Sequence, residues 1–300
     1  MESNMTSRQQ SPRLTFGQKD FRLPGVLMFG RYQYAASHSG LLPHSHRQAI
    51  EICFLERGEQ TYRVGGLLHR LRGNDQFFTL PGEVHDTANL PEERGILYWL
   101  ILKLEPARKF LGLSQAQALL LKRELRRMPT RHFRGHPDCA RILGEINDLL
   151  LEGRNRQAGF PSYGRLRLQA LLLQYLTLTI RASHQGVHGS ATPLMQRVLQ
   201  YIDNHLNDPV RVPLLAQVAR LSESRCKTRF KCEMGVPPAE FWLRKKIEKA
   251  IVLLKNRNVT EVAYELGFSS SQYFATVFKR YTLVNPSQFH ASKTSVRSHA

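Results

Sequence analysis

Two stretches of this 300-residue chain repeat one another, and that repeat limits what the C-terminal half can be. Ser222–Phe241 reads SESRCKTRFKCEMGVPPAEF, and Ser270–Phe289 reads SSQYFATVFKRYTLVNPSQF. An offset of 48 residues (278 − 230) brings Ser222 onto Ser270, Cys226 onto Phe274, Phe230 onto Phe278 and Lys231 onto Lys279. The same offset aligns Val236 with Val284, Pro238 with Pro286 and Phe241 with Phe289. Two copies at so long a period are a duplicated unit and not a solenoid, which needs more repeats to bury its core.

Each copy reads as helix, tight turn, helix. In the first, Leu214, Leu215 and Val218 form a short apolar face, and Ser222 is placed to cap the next helix with Arg225 at N3. Cys226 and Phe230 lie four apart, so one helix face buries both. In the second copy Val262, Ala263 and Leu266 form the first helix, and Gly267 supplies a turn where positive φ costs little. Phe274 and Phe278 are the matching buried pair. The opposite faces are polar and basic: Ser224, Arg225, Lys227, Thr228 and Lys231, then Ser271, Gln272, Thr276, Lys279 and Arg280. Such side chains meet base edges in a major groove, while cations anchor phosphates. Between the copies, Pro238 to Leu254 carries Phe241, Ile247, Ile251 and Leu254 as a core stripe. A rigid helix there can hold two recognition helices about 34 Å apart, one turn of duplex.

Charge agrees with a polyanionic partner. Lys and Arg number 43 against 24 Asp and Glu, a formal net charge of +19. That excess points to nucleic acid or an acidic membrane surface. No apolar run reaches the ~18 residues of a spanning helix, and Met1 to Arg13 lack an apolar signal core. Cys53, Cys139, Cys226 and Cys232 show neither CxxC nor zinc-finger spacing, so reduced thiols in a cytoplasm are expected.

The N-terminal part has a different texture. Residues 1–13 read as a disordered tail. From Phe16 to about Leu104 short runs such as Ile50–Leu55, Thr61–Val64, Gln76–Leu80 and Ile96–Leu102 are broken by Gly58, Gly65–Gly66, Gly73–Asn74 and Pro81–Gly82. Several short strands at this spacing predict a small barrel or sandwich. A helical period follows: Ser114 to about Met128, Pro137 to Leu151, and Tyr163 to Ala182. The last helix carries Leu166, Leu168, Leu171, Leu172, Tyr175 and Leu176, a stripe for packing on the barrel, for a homodimer interface, or for both. The Ser-, Gly- and His-rich segment 183–192 reads as a linker. The expected organisation is α+β in two domains, a β-barrel with following helices at 14–182 and an all-α double unit at 193–291, with a tail at 292–300.

Residues 193–290 closely resemble the DNA-binding domain of AraC/XylS-type transcription regulators, above all in VTEVAYELGFSSSQYFATVFKRYTLVNPSQF (Val259–Phe289). The chain departs from that pattern at Leu283, where the family usually has Gly, and at Arg229, a position often apolar. The N-terminal segment, through Pro43 to Asn89, resembles the cupin-like sensor of the same family. His44 and His46, with Glu51 and Gly58 beyond, look like a first cupin metal motif. Pro81-Gly82, His85 and Asn89 look like part of a second. Alternation along a strand would point His44 and His46 into the barrel together.

The resemblance implies a non-enzymatic transcription regulator, expected to act as an activator. Its implied partners are double-stranded DNA, RNA polymerase and a small effector, a sugar or related metabolite. Tyr32, His44, His46, Glu51, His85 and Trp99 are the expected effector contacts, and no cofactor is required. The alternative for the same four residues, His44, His46, Glu51 and His85, is a bound metal, in a sensor or in a cupin enzyme fused to a DNA-binding domain. A third reading is a constitutive DNA-binding protein with a dimerising barrel.

Overall fold

The computed structural model describes residues 12–105, 109–155, 162–185 and 192–289. In the N-terminal part, the paired strands among these residues are all antiparallel. Its strands are β1 (Arg13–Gly17), β2 (Val26–Tyr34), β3 (Ala49–Val64), β4 (Leu67–Arg72), β5 (Asp75–Thr79), β6 (His85–Asp86), β7 (Gly95–Lys103) and β8 (His132–Arg134). They run in the order β1-β2-β7-β3-β5-β8, while β4 and β6 also pair with β3. The long strand β3 is the axis. Its first half, Ala49 to Leu55, pairs with β7 and β5. A register shift follows between Leu55 and Arg57, and its second half pairs with β4 and β6. One bent strand thus joins both walls of the barrel. Ile50–Leu55 and Thr61–Val64 are therefore a single element and not two.

Period-two alternation sorts the side chains. Glu51, Cys53 and Leu55 on β3 share an inner layer with Leu97, Trp99 and Ile101 on β7 and with Tyr32 and Tyr62. Ile50, Ile52 and Phe54, with Tyr98, Leu100 and Leu102, face a second core covered by helices. Both faces are buried, which is why these strands read as continuous apolar runs. The covering helices are α2 (Gln115–Arg126), α3 (Cys139–Asn155) and α4 (Ser162–Gln185), counted after the short α1 (Gln18–Phe21). Ser114 caps α2 as expected, accepting a bond from the Gln117 amide. In α4, Leu168, Leu171, Leu172, Tyr175 and Leu176 are buried in this core, whereas Leu166 is exposed.

Three expectations need correction. Arg13 does not belong to a tail: it opens β1, paired with Tyr32. The helix ending at Ala182 on sequence grounds continues to Gln185, with Ser183 buried, so the predicted linker does not start at 183. Strand β8 was not foreseen. Residues 1–11, 186–191 and 290–300, on which the remaining tail and linker expectations fall, lie outside the described residues.

The C-terminal part is helical: α5 (Pro193–Asn204), α6 (Val212–Ala219), α7 (Glu223–Met234), α8 (Pro238–Leu253), α9 (Val259–Glu265) and α10 (Ser271–Thr282). The sequence repeat is a structural one. Ser222 caps α7 through the Arg225 amide, and Ser270 caps α10 through the Tyr273 amide. Cys226 and Phe230 are fully buried in one core, Phe274 and Phe278 in another. The central helix α8, about 24 Å long, feeds both cores: Phe241 and Trp242 the first, Ile247 and Ala250 the second. Lys246, on the same helix and buried, donates to the carbonyl oxygens of Asp208 and Leu266. Those carbonyls belong to the loops before α6 and after α9, one from each copy. Gly267 is required beside them, because a Cβ there would stand 2.4 Å from the Asn207 carbonyl oxygen.

Both α7 and α10 end in the left-handed region, at Gly235 (φ 75°) and Leu283 (φ 70°). The departure at Leu283 thus leaves the cap geometry intact and places an L side chain where glycine is unstrained. Leu283 is 38% exposed and adds little packing. Leu283→Gly is expected to stabilise the second unit by about 1 kcal/mol, read as a higher denaturation midpoint at unchanged m-value. A lower midpoint would show that the Leu283 side chain outweighs the strain.

Candidate nucleic-acid interface and sensor site

The polar faces of α7 and α10 are free of the cores that hold their other sides. Ser224, Arg225, Lys227, Thr228 and Lys231 are exposed on α7, and Gln272, Thr276 and Lys279 on α10, while Ser271 and Arg280 are half-buried. Lys227 pairs with Glu223 at 3.2 Å, an i,i+4 contact that leaves its ammonium at the surface. Thr276 Oγ1 donates to the Gln272 carbonyl at 3.0 Å and keeps its lone pairs outward. Arg229, the second departure from the family pattern, is paired at the surface with Glu233 at 2.9 Å.

The barrel is docked against this unit. Ser37 donates its amide to the Arg280 carbonyl and its hydroxyl to the carbonyls of Arg280 and Tyr281, at 3.0–3.1 Å. Arg134 donates to the Cys232 carbonyl at the end of α7. Gly73 and Gly235 meet backbone to backbone, and a Cβ on Gly235 would lie 2.0 Å from the Gly73 Cα. At the centre of the contact Arg244 of α8 enters a carboxylate cluster, 3.2 Å from Glu59 and bonded to Glu93. Arg70 holds Glu59 at 2.9 Å and also bonds Glu248. Burial pushes the Glu93 carboxyl up to about 7, although Arg244 pulls it the other way. Between α7 and the barrel remains a cleft of about 890 Å³, lined by Thr228, Lys231, Arg57 and Arg134 among others. Of the candidate DNA contacts, Thr228, Lys231 and Arg280 therefore adjoin the barrel.

Inside the barrel the structure brings His44, His46, Glu51 and His85 together. The two first histidines do not alternate along a strand, as expected from sequence. They lie in the loop before β3, and His44 reaches His85 through an isolated antiparallel bridge. Glu51 Oε2 is 3.1 Å from His46 Nε2 and 2.8 Å from His85 Nε2. Burial raises the Glu51 carboxyl, but the two imidazoles outweigh it and hold it at about 2. His85 is depressed by burial and raised more by Glu51, for a net rise.

A cavity of about 190 Å³ opens onto His44, His46, Glu51 and Trp99. Trp99 lies across Gly30, where any Cβ would overlap its ring. Tyr32 is in the same inner core but does not line the cavity: it stacks on Tyr34 at 4.2 Å and donates to Gln60. Tyr62, Glu92 and Arg13 do line it and were missed. Arg13 bonds Glu92 at 2.7 Å and sits 4.6 Å over the Trp99 ring. The alternation of Tyr62 and Val64 with Thr61 and Arg63 could have marked Tyr62 as inward. Arg13 lay in a segment without a strand signal. All four cysteines are free thiols, and among the described residues no helix is long and apolar enough to cross a membrane.

A barrel with a buried polar cavity, joined to two capped helix-turn-helix units with basic outer faces, defines a ligand-binding regulator of DNA. Residues 27–176 match the family model of an AraC-like ligand binding domain, and residues 215–292 match that of a helix-turn-helix domain. The chain belongs to the AraC/XylS-type family of transcription regulators. It is 26% identical over 270 residues to an uncharacterized HTH-type transcriptional regulator, YfiF, of Bacillus subtilis, covering 85% of this chain and 80% of that one. It is 25% identical over 242 residues to the HTH-type transcriptional activator RhaS of Escherichia coli, covering 79% and 84%. Among solved structures it is similar to ToxT from Vibrio cholerae, at 13% identity and a TM-score of 0.34, covering 93% and 98%.

Replacing Arg244 by Met keeps the stem but leaves Glu59 and Glu93 without its charge. Breaking a buried pair in this way costs about 3–5 kcal/mol. The expected result is faster hydrogen exchange in Glu59–Val64 and at the C-terminal end of α7, with the barrel core unchanged. Exchange identical to wild type at both places would mean that Arg244 does not hold the two units together.

Proposed function

We propose that this chain switches transcription by changing how α7 and α10 are offered to DNA when a small effector enters the barrel. The observation that carries the reading is the pair of like-capped helices with outward basic faces, both pinned to α8. In this reading Lys227 and Thr228 read bases in one major groove, and Gln272 and Thr276 read the next. Arg225, Lys231, Lys279 and Arg280 hold phosphates, with Ser224 and Ser271 at the helix starts contributing short polar contacts. The sensor unit runs from β1 to the end of α4, and the DNA-binding unit begins at α5.

The effector contacts are His44, His46, Glu51, His85 and Trp99, joined by Tyr62 and Arg13, with Tyr32 as support behind them. The effector class is a small polar metabolite such as a sugar, which suits a cavity with a few placed polar groups in an aromatic wall. Exposed Leu119, Leu120, Tyr163 and Leu166 on α2 and α4 support a homodimer through the helical side of the sensor. Action as an activator in contact with RNA polymerase, in the cytoplasm and without catalysis, follows the family's role and RhaS's description as an activator.

Full-length protein titrated with operator duplex across a salt series tests the DNA-binding half of this reading. Arg225, Lys231, Lys279 and Arg280 on phosphates together predict a slope of log K against log salt of about −3.6. Lys231→Ala is expected to flatten it by about one. Binding insensitive to salt would refute the assignment.

A further inference from the structure

We propose that a cavity at the seam between the barrel and the DNA-binding unit, walled in part by Glu93, binds an organic ammonium ion with an apolar body. This cavity is separate from the one inside the barrel. Leu90 and Pro91 line it from the sensor, Ile247 and Ile251 from α8, and Tyr281 and Phe289 from α10 and the chain beyond. Its volume is about 470 Å³, within the span of about 300–1,000 Å³ usual for small-molecule sites.

The charges along its polar wall do not balance. Arg244 is shared by three carboxylates: it lies 3.2 Å from Glu59 and 3.4 Å from Glu248, and it bonds Glu93. Glu59 and Glu248 each have a second cation in Arg70, and Glu248 also has Lys245 at 3.7 Å. Glu93 has no second ion-pair partner among the described residues. Arg94, its neighbour in the chain, turns to Glu240 at 3.6 Å. Yet the Glu93 side chain is only 12% exposed, and its amide is anchored by the buried Gln60 side chain at 3.0 Å. A buried carboxylate with a fraction of a counter-charge resists ionisation. Burial, aided by Glu59, accordingly lifts the Glu93 carboxyl to about 7 against the pull of Arg244 and Arg70.

A positive atom beside Glu93 supplies the missing charge. An anion there would face Glu59, Glu93 and Glu248, with both guanidiniums already engaged. A neutral molecule would leave Glu93 as it is. The aliphatic and aromatic walls take the rest of the ligand, and a hydrated inorganic cation would gain nothing from them. Because the walls belong to both units, an occupant binds the docked arrangement and favours it over the released one.

The test uses the full chain and three naphthalene probes of nearly one shape: 1-naphthylmethylamine, 1-naphthalenemethanol and 1-naphthoate, followed by their fluorescence. One amine per chain is expected at pH 8, bound about tenfold or more tightly than the alcohol. The net charge of +19 attracts naphthoate at long range, so a preference for the amine reports the local site and not the overall field. Glu93 ionises as pH rises through about 7 while the amine stays charged, so amine affinity should rise by up to about tenfold from pH 6 to pH 8. Glu93→Gln should erase both the preference for the amine and its pH dependence. Leu90→Trp, at an exposed wall position, should weaken amine binding by about tenfold through filling the cavity alone. Circular dichroism checks both folds. Naphthoate bound as tightly as the amine would overturn the proposal. So would an amine preference unchanged in Glu93→Gln, or amine binding unchanged in Leu90→Trp.

Discussion

The buried ammonium of Lys246 is the interaction on which the C-terminal architecture depends. Its stem leaves the middle of α8, and its head bonds the Asp208 carbonyl from one helix-turn-helix unit and the Leu266 carbonyl from the other. Burial pulls this lysine down to about 8 from its usual range. A buried cation is costly unless its hydrogen bonds are satisfied, and here main-chain carbonyls satisfy it while the Asp208 charge offsets part of the burial cost. Gly267 lets the second turn approach the Asn207 carbonyl, and Lys249 bonds the Asn207 side chain at 2.9 Å. Two cores that share no buried residue become one reading head of fixed spacing.

The sensor meets that head through charge rather than through an apolar seam. Arg244 and Lys246 are two residues apart on α8, and they turn to different tasks. One joins the recognition units to each other, and the other joins them to β3 and to Glu93 of the barrel. The second half of β3 carries Glu59 to Arg244, while its first half carries Glu51 to the histidine cluster. A single bent strand thus spans from the sensing cavity to the DNA-binding unit. A ligand that alters the strand at Glu51 has a short physical route to α8, provided it binds the docked and released arrangements unequally.

How much of this could be read in the sequence follows from the range of each interaction. The recognition units were legible because every determinant is local and occurs twice: serine cap, buried pair four apart, left-handed cap, polar outer face. The helices over the barrel were legible from their period. The barrel strands were recognised but cut wrongly, since Gly58 reads as a turn although β3 bends there and continues. His44, His46, Glu51 and His85 do lie together, but not through the strand geometry that the sequence suggested. Their convergence depends on the His44–His85 bridge, a pairing 41 residues apart (85 − 44) that periodicity does not encode. Arg244 with Glu59 and Glu93 was invisible, because one arginine in a basic helix looks like any other until its distant partners are known. Tyr32 lies in the same inner layer but does not line the cavity, since an inward side chain can support a cavity without touching it.

The central claim is that one chain reads two successive major grooves with helices held rigidly by α8. Base-by-base substitution of a bound operator, compared between wild type, Lys227→Ala and Thr276→Ala, measures it most directly. Each variant should lose discrimination, by about 1–3 kcal/mol, at its own base positions, with the two sets separated by one helical turn of about 10.5 base pairs. Loss of discrimination by both variants at the same bases would contradict the account.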